Sequence, residues 1–395
     1  MYLFNSFGAQ LNEHDQGLVR TAETFSREHL TDENIAEWSM QGGMPDTVLK
    51  FFHDSGLAFA SVDTEDNAFK TSFVAQIMML EEYSRASGTL LPLNSLVVTF
   101  QTLSNIATRE QMAFALDTYE KTLQPFFSYA LTNAGSGSSL GPNGTTITEL
   151  NGKLVMNGMK PFVNNAEYAP YIMVLASNLV ERQAGGDDGN PPLTFWLVPR
   201  TSPGVTIFPI EKAGQKLLPA AAIEFRDVEL DPELQLGKRN IPVDLFNRLV
   251  SSTRCTACAN SLGMAKAALD DAAYYAAHHK IGNRLLADFG QIDEKLADMQ
   301  YKVLTMKYLT YNAAYEIQHE LNDATTLAEL ATRYVPRLGK EVADLGISIV
   351  GGAGYTSQSR LSRIWIDSRG NEISVGSPEV MARLIAKDIV RHYRS

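Results

Sequence analysis

The sequence predicts an α+β protein built from three successive blocks: an N-terminal helical domain over 1–124, a middle β-barrel or sandwich over 125–238, and a C-terminal four-helix bundle over 239–395. Three observations carry this. Apolar residues recur at helical spacing up to Pro125, short β-type runs punctuated by turn residues follow it, and long helical patterns joined by short loops resume near Val243.

In the first block Leu18, Ala22, Phe25 and His29 share a helical period, as do Val48, Phe51, Phe52 and Leu57, and an apolar helix is expected from Ser72 to about Tyr83. Nothing there alternates with period two. The second block contains strand-like runs at 145–150, 153–157, 171–177, 193–198, 205–209 and 221–228. Turn residues separate them: Pro142-Asn143-Gly144, Asn151-Gly152, Asn157-Gly158 and the Gly/Asp/Pro-rich stretch 185–192. The third block reads as long helices over 243–278, 289–321 and 327–350.

Bulk properties narrow the function. Hydrophobic residues make up 45% and charged residues 20% of 395 residues, the balance of an ordinary globular protein with room for two or three domains. A net charge of −11 argues against a nucleic-acid binder, which needs cations to displace counterions, and against a generic binder of anionic membranes. No apolar run approaches the ~18–20 residues of a membrane span, and Met1-Tyr2-Leu3-Phe4-Asn5-Ser6 lacks the basic-then-apolar pattern of a signal peptide. A cytoplasmic location is expected. The two cysteines, Cys255 and Cys258, form a CxxC on a helical stretch with no βαβ context, so they are expected to be small core residues. His14, His29, His53, His319 and His392 show no ligand spacing, and no metal site is expected.

Local motifs then become informative. The β block opens with Ala130-Leu131-Thr132-Asn133-Ala134-Gly135-Ser136-Gly137-Ser138-Ser139, followed by Leu154-Val155-Met156-Asn157-Gly158-Met159-Lys160-Pro161-Phe162-Val163-Asn164-Asn165-Ala166. The bundle contains Lys295-Leu296-Ala297-Asp298-Met299 and Gly351-Gly352-Ala353-Gly354-Tyr355. In order and spacing these resemble the A-L-T-E-P-x-A-G-S-D, L-N-G-x-K-x-[WF]-I-[TS]-N-A, K-L-A-D-M and G-G-x-G-[YF] motifs of the acyl-CoA dehydrogenases. The resemblance covers nearly the whole chain. It implies a flavoprotein oxidoreductase of fatty-acid metabolism acting on acyl-CoA or another acyl thioester, with FAD as cofactor. It also implies a homotetramer and an electron-transfer flavoprotein as possible partner. Thr132 and Ser138 match positions that donate to the flavin ring edge, where reduction places negative charge. Phe162 matches the aromatic packed on the ring, and Asn164 stands where the family has Thr or Ser near the N5/C4 edge.

Departures from the family pattern bear on affinity and activity. The family's Arg before a Phe-Gly pair, which reaches the FAD pyrophosphate of a neighbouring subunit, is His279 here, and Gly282-Asn283 replace Phe-Gly. A neutral imidazole cannot copy a charged bidentate fork. Ser348 replaces a Gln of the same region. FAD is therefore expected to bind loosely, and to tighten as pH falls if His279 pairs with the pyrophosphate.

The resemblance also places the catalytic base. In most members a Glu in Y-E-G-T, eight residues after an Arg-Asp pair, removes the Cα proton; counting from Asp367 puts Val375 there, with Gly376 on the substrate side and Ser377 on the cofactor side. The alternative base of a minority, in an E-R pair, reads Thr253-Arg254; the retained Arg254 implies an anionic ligand or a structural carboxylate. The other carboxylates nearby are Glu372 and Glu379, both expected to face elsewhere, Glu372 being the better candidate base. Three readings stand: an oxidoreductase with an unusual or absent base, a non-catalytic subunit in a hetero-oligomer with a catalytic sister subunit, or a related flavin monooxygenase.

Overall fold

The computed structural model describes residues 11–135, 144–182, 192–237, 241, 243–374 and 376–394. The first block folds into α1 (Glu13–His29), α2 (Asp32–Gln41), α3 (Asp46–Asp54), α4 (Phe73–Ser87), α5 (Pro92–Ile106) and α6 (Arg109–Thr122). Helix starts are local in origin: the side chains of Asn12, Thr31, Ser72 and Thr108 each accept a hydrogen bond from a first-turn backbone N–H. The α1 stripe Leu18, Val19, Ala22 and Phe25 is buried. The Phe25 ring meets Phe52 and Tyr83 edge-on at 5.3 and 6.3 Å. Burying a Phe of this kind contributes about 2–3 kcal/mol.

Next come β1 (Phe127–Ala130), β2 (Thr146–Leu150), β3 (Lys153–Asn164), β4 (Tyr171–Asn178), the short α7 (Leu179–Arg182), β5 (Leu193–Pro199), β6 (Val205–Ile210), β7 (Ala220–Glu229) and β8 (Gln235–Leu236). Among the described residues these form one eight-stranded sheet in the order β6-β7-β3-β2-β4-β5-β8. β1 pairs parallel with β4 from Phe127↔Tyr171 to Ala130↔Val174. β4 and β5 alternate between two cores. Met173, Leu175, Phe195 and Leu197 join the helical core, whereas Ile172, Val174, Trp196 and Val198 join a separate core within the β block. A strand buried on both faces reads as a continuous apolar run, which is why these two were legible.

One expected turn is absent. Asn157-Gly158 does not end a strand; β3 runs through it to Asn164, with register shifts between Met156 and Gly158 and between Lys160 and Val163. Gly158 sits at φ +144° where a Cβ would lie 2.6 Å from Thr145 Cα, and the Asn157 side chain bonds Asp227 across the strand pair. The pair Asn-Gly thus serves a bulge rather than a hairpin. β1 was not separated from the following loop by sequence pattern, being only four residues long.

The remainder is helical. α8 (Val243–His278) is followed by a two-stranded hairpin, β9 (Lys280–Ile281) and β10 (Arg284–Leu285), then α9 (Gly290–Gln318), α10 (Ala324–Val350), α11 (Arg360–Ile373) and α12 (Pro378–His392). α8 ends where the apolar pattern ends, α9 is a few residues shorter than expected, and α10 begins three residues earlier than expected. Gly263 lets α4 approach α8: a Cβ there would stand 2.1 Å from Glu81 O. Across that contact Glu81 pairs with Lys266 and accepts from Tyr311 Oη at 2.6 Å, a buried polar link between α4, α8 and α9.

Candidate active site

Two clusters gather most of the residues singled out by sequence. The first lies at the end of β3. The ammonium of Lys160, whose side chain is fully buried, donates to Leu131 O at 2.9 Å, Asn133 Oδ1 at 2.7 Å and Leu175 O at 2.7 Å. Ala134 N adds a bond to Met159 O at 3.3 Å. The loop carrying Thr132 is thereby fastened alongside β3. The second bulge of β3 then reverses its alternation. Pro161 has no N–H to give the ladder, Val163 returns to the core, and Phe162 is left 68% exposed with Asn164 exposed beyond it. The exposed Phe162 ring offers an apolar face beside a pinned polar loop. Lys160 thus ties the segment that carries Thr132 to the strand that carries Phe162; Ser138 lies outside the described residues.

The second cluster lies where α8, α10 and the start of α12 meet. Arg254 Nη1 is 3.6 Å from Glu329 Oε1, both side chains being about nine-tenths buried. Burial pushes the Glu329 carboxyl up, with Arg254 pulling it down and Asp388 pushing it up. The Arg254 guanidinium is lowered by burial against the pull of Glu329 and Cys258. Gly376, at φ +113°, lies beside it: a Cβ there would come 4.0 Å from Arg254 Nη2 and 3.0 Å from Met381 Cε. Ser377 caps α12, accepting from Val380 N at 3.4 Å. Thr253 turns its hydroxyl back to Leu249 O at 3.0 Å. Val375 lies outside the described residues. Glu372 is held by Arg369 at 2.7 Å and Lys340 at 3.3 Å. It lines a groove of about 670 Å³ with Arg333, Arg337 and Ser377 between α10, α11 and α12.

Other residues lie apart. His279, exposed, stacks on Tyr275 with ring centroids 4.5 Å apart, and Asn283 sits at the tip of the β9–β10 hairpin. Ser348 is exposed on α10. Cys255 and Cys258 are fully buried; burial raises both thiols, that of Cys258 to about 12. Among the described residues no group of three or more His, Cys, Asp or Glu could hold a metal ion, and no helix is long and apolar enough to cross a membrane. Sequence reasoning missed Lys160 and Glu329 as site residues. A lysine inside a largely apolar strand and a carboxylate two turns before Pro336 in a helix were the available signals.

Three blocks in this order are the architecture of the acyl-CoA dehydrogenases, and the chain belongs to that family. The family's N-terminal, middle and C-terminal domains match residues 12–118, 128–228 and 244–390. An acyl-CoA dehydrogenase from Slackia heliotrinireducens superposes with a TM-score of 0.84 at 32% identity, covering 98% of each chain. The Escherichia coli protein named "Probable acyl-CoA dehydrogenase YdiO" is 28% identical over 98% of this chain and 99% of its own length. A glutaryl-CoA dehydrogenase from Mycobacterium smegmatis, solved in complex with FADH2, shares the fold at 18% identity and a TM-score of 0.83, with 98% of this chain and 97% of that one covered. Members of the family are FAD-dependent.

Proposed function

We propose that this chain is an FAD-binding oxidoreductase of the acyl-CoA dehydrogenase type, acting on the CH–CH group of an acyl thioester without a carboxylate at either base position of its family. The observation that carries the reading is the exposure of Phe162 beside the Lys160-fastened Thr132 loop. The fit to a flavin is good at this edge. Phe162 offers an apolar face for the ring, and the loop offers donors held in place before any ligand arrives.

When bound, FAD would accept the hydride leaving Cβ of the acyl chain. Thr132 would donate to the ring edge, Phe162 would cover one face and exclude water, Asn164 would lie near the reactive edge, and Ser377 would approach the cofactor from α12. Gly376, without a side chain, would let the thioester end of a substrate come close to the backbone beside Arg254, where a Cβ would stand 3.0 Å from Met381 Cε. Withdrawal of the Cα proton finds no ready acceptor at the two family base positions or at Glu372. Val375 and Thr253 carry none, and Glu372 is engaged by two cations. A general base typically contributes ~10²–10⁴ in rate, so turnover by the isolated chain is expected to be slow.

A second reading, a non-catalytic subunit paired with a catalytic sister chain, is favoured by the inward turn of Thr253 and the sequestration of Arg254 by Glu329. The visible spectrum of the purified protein tests the first reading. Flavin bands, or their appearance after incubation with FAD and gel filtration, are expected; a protein that stays colourless after that treatment overturns it. With flavin present, dye-coupled turnover of saturated acyl-CoA separates the two readings.

A further inference from the structure

Lys160 is the one fully buried lysine among the described residues, and its surroundings contain no negative charge to match it. Its three acceptors are two backbone carbonyls and the neutral amide oxygen of Asn133. Asn133 in turn accepts from Thr145 N at 3.3 Å, and Gly144 is obligatory beneath it, since a Cβ there would stand 2.0 Å from the Asn133 side chain. The segment 134–148 contains no titratable side chain at all. On the elements packed around Lys160, β1 contributes Tyr129, which faces α5 through Val98 O, and β4 contributes Tyr171 at its outer end. β7 contributes Glu224, next to the residue paired with Lys160 but bonded to Arg226 at 2.9 Å on the exposed side.

We propose that Lys160 is a proton-dependent clamp: its ammonium holds the Leu131–Asn133 loop in place for the flavin ring, and loss of the proton loosens that loop and weakens cofactor binding. The inference rests on the flavin reading above. Its physical basis is a count of donors. An ammonium has three N–H groups for three oxygens, whereas a neutral amine has two and turns a lone pair toward one of the oxygens. Burial, with no charge nearby to oppose it, lowers the Lys160 ammonium to about 7, so the change of state falls near neutrality.

The sign differs between binding and stability. A lysine with a lowered folded pKa makes folding less favourable when protonated, so its contribution to global stability improves as pH rises from about 7 toward its unfolded value near 10.5. The clamp weakens over the same range. A residue important only for folding would not show cofactor affinity falling while this contribution to stability grows.

The experiment compares wild type with Asn133→Asp, a nearly isosteric change that sets a carboxylate against the ammonium and holds its proton on. FAD is titrated into apo-protein at pH 6 and pH 8.5, and amide exchange of the 126–135 peptide, corrected for intrinsic rate, is followed in apo-protein at both values. Wild type is expected to lose about 10–30-fold more FAD affinity across this interval than Asn133→Asp, and its 126–135 amides to lose protection that the variant retains. Any pH dependence that does not run through Lys160 is common to both proteins and cancels in the comparison. Lys160→Met, if it folds, is expected to bind FAD weakly at both pH values. Equal pH dependence in wild type and Asn133→Asp, in exchange and in affinity, overturns the clamp. Loss of protection in wild type alone, without FAD binding by either protein, sustains the clamp and overturns the flavin reading instead.

Discussion

Arg254 on α8 and Glu329 on α10 form a buried ion pair at 3.6 Å that ties two long helices together directly behind Gly376. The retained arginine thus serves a structural carboxylate. Taking one partner away leaves the other charge buried without compensation, the costly way to break such a pair. Glu329→Ala is expected to destabilise the protein by about 2–4 kcal/mol, read as a lower urea midpoint. A change within ~0.5 kcal/mol would show that the pair contributes little to holding α8 against α10.

Val375→Glu supplies a carboxylate at the position where most family members have their base. Dye-coupled oxidation of saturated acyl-CoA is expected to rise by at least ~10²-fold over wild type. An unchanged rate in a flavin-loaded variant would mean that the surrounding site no longer aligns a substrate.

Asp367 gives a pH-dependent signature. Its carboxyl is fully buried and pushed up to about 6 by burial, against hydrogen bonds from Thr89 Oγ1 and Gln215 N, both at 2.5 Å, and attraction from Arg363 and Lys212. A raised carboxyl favours the protonated folded protein. Its contribution is therefore fully present below about pH 4, declines as pH rises and is gone above about pH 6. Asp367→Asn keeps an oxygen for Gln215 N and is neutral throughout. The stability difference, variant minus wild type, is expected to grow by on the order of 2–3 kcal/mol between pH 4 and pH 6.5, measured by chemical denaturation. A flat difference would contradict it.

Tyr301, Tyr308 and Tyr315 are exposed by 65%, 45% and 46% at seven-residue spacing along α9, forming one aromatic stripe. Such a stripe is an interface in waiting. A homotetramer is expected in sedimentation equilibrium at micromolar concentration, and Tyr301→Glu with Tyr308→Glu is expected to shift it toward smaller species. A wild-type monomer would refute the assignment.

Much of the architecture was legible because the deciding signals are local and periodic. The α8 pattern gave both its ends, the doubly buried β4 and β5 read as apolar runs, and the bundle follows from helices too long and apolar to stand alone. What the sequence could not decide depends on which residues meet across the fold. Asn157-Gly158 favours a turn by propensity, yet the packing of Thr145 against Gly158 and the ladder to β7 carry the strand through as a bulge. Lys160 lies 27 residues from Asn133, and Arg254 lies on a different helix from Glu329. A buried charge takes its meaning from its distant partners and from the water they exclude. The neutral set around Lys160 and the carboxylate opposite Arg254 were therefore decided only by tertiary structure.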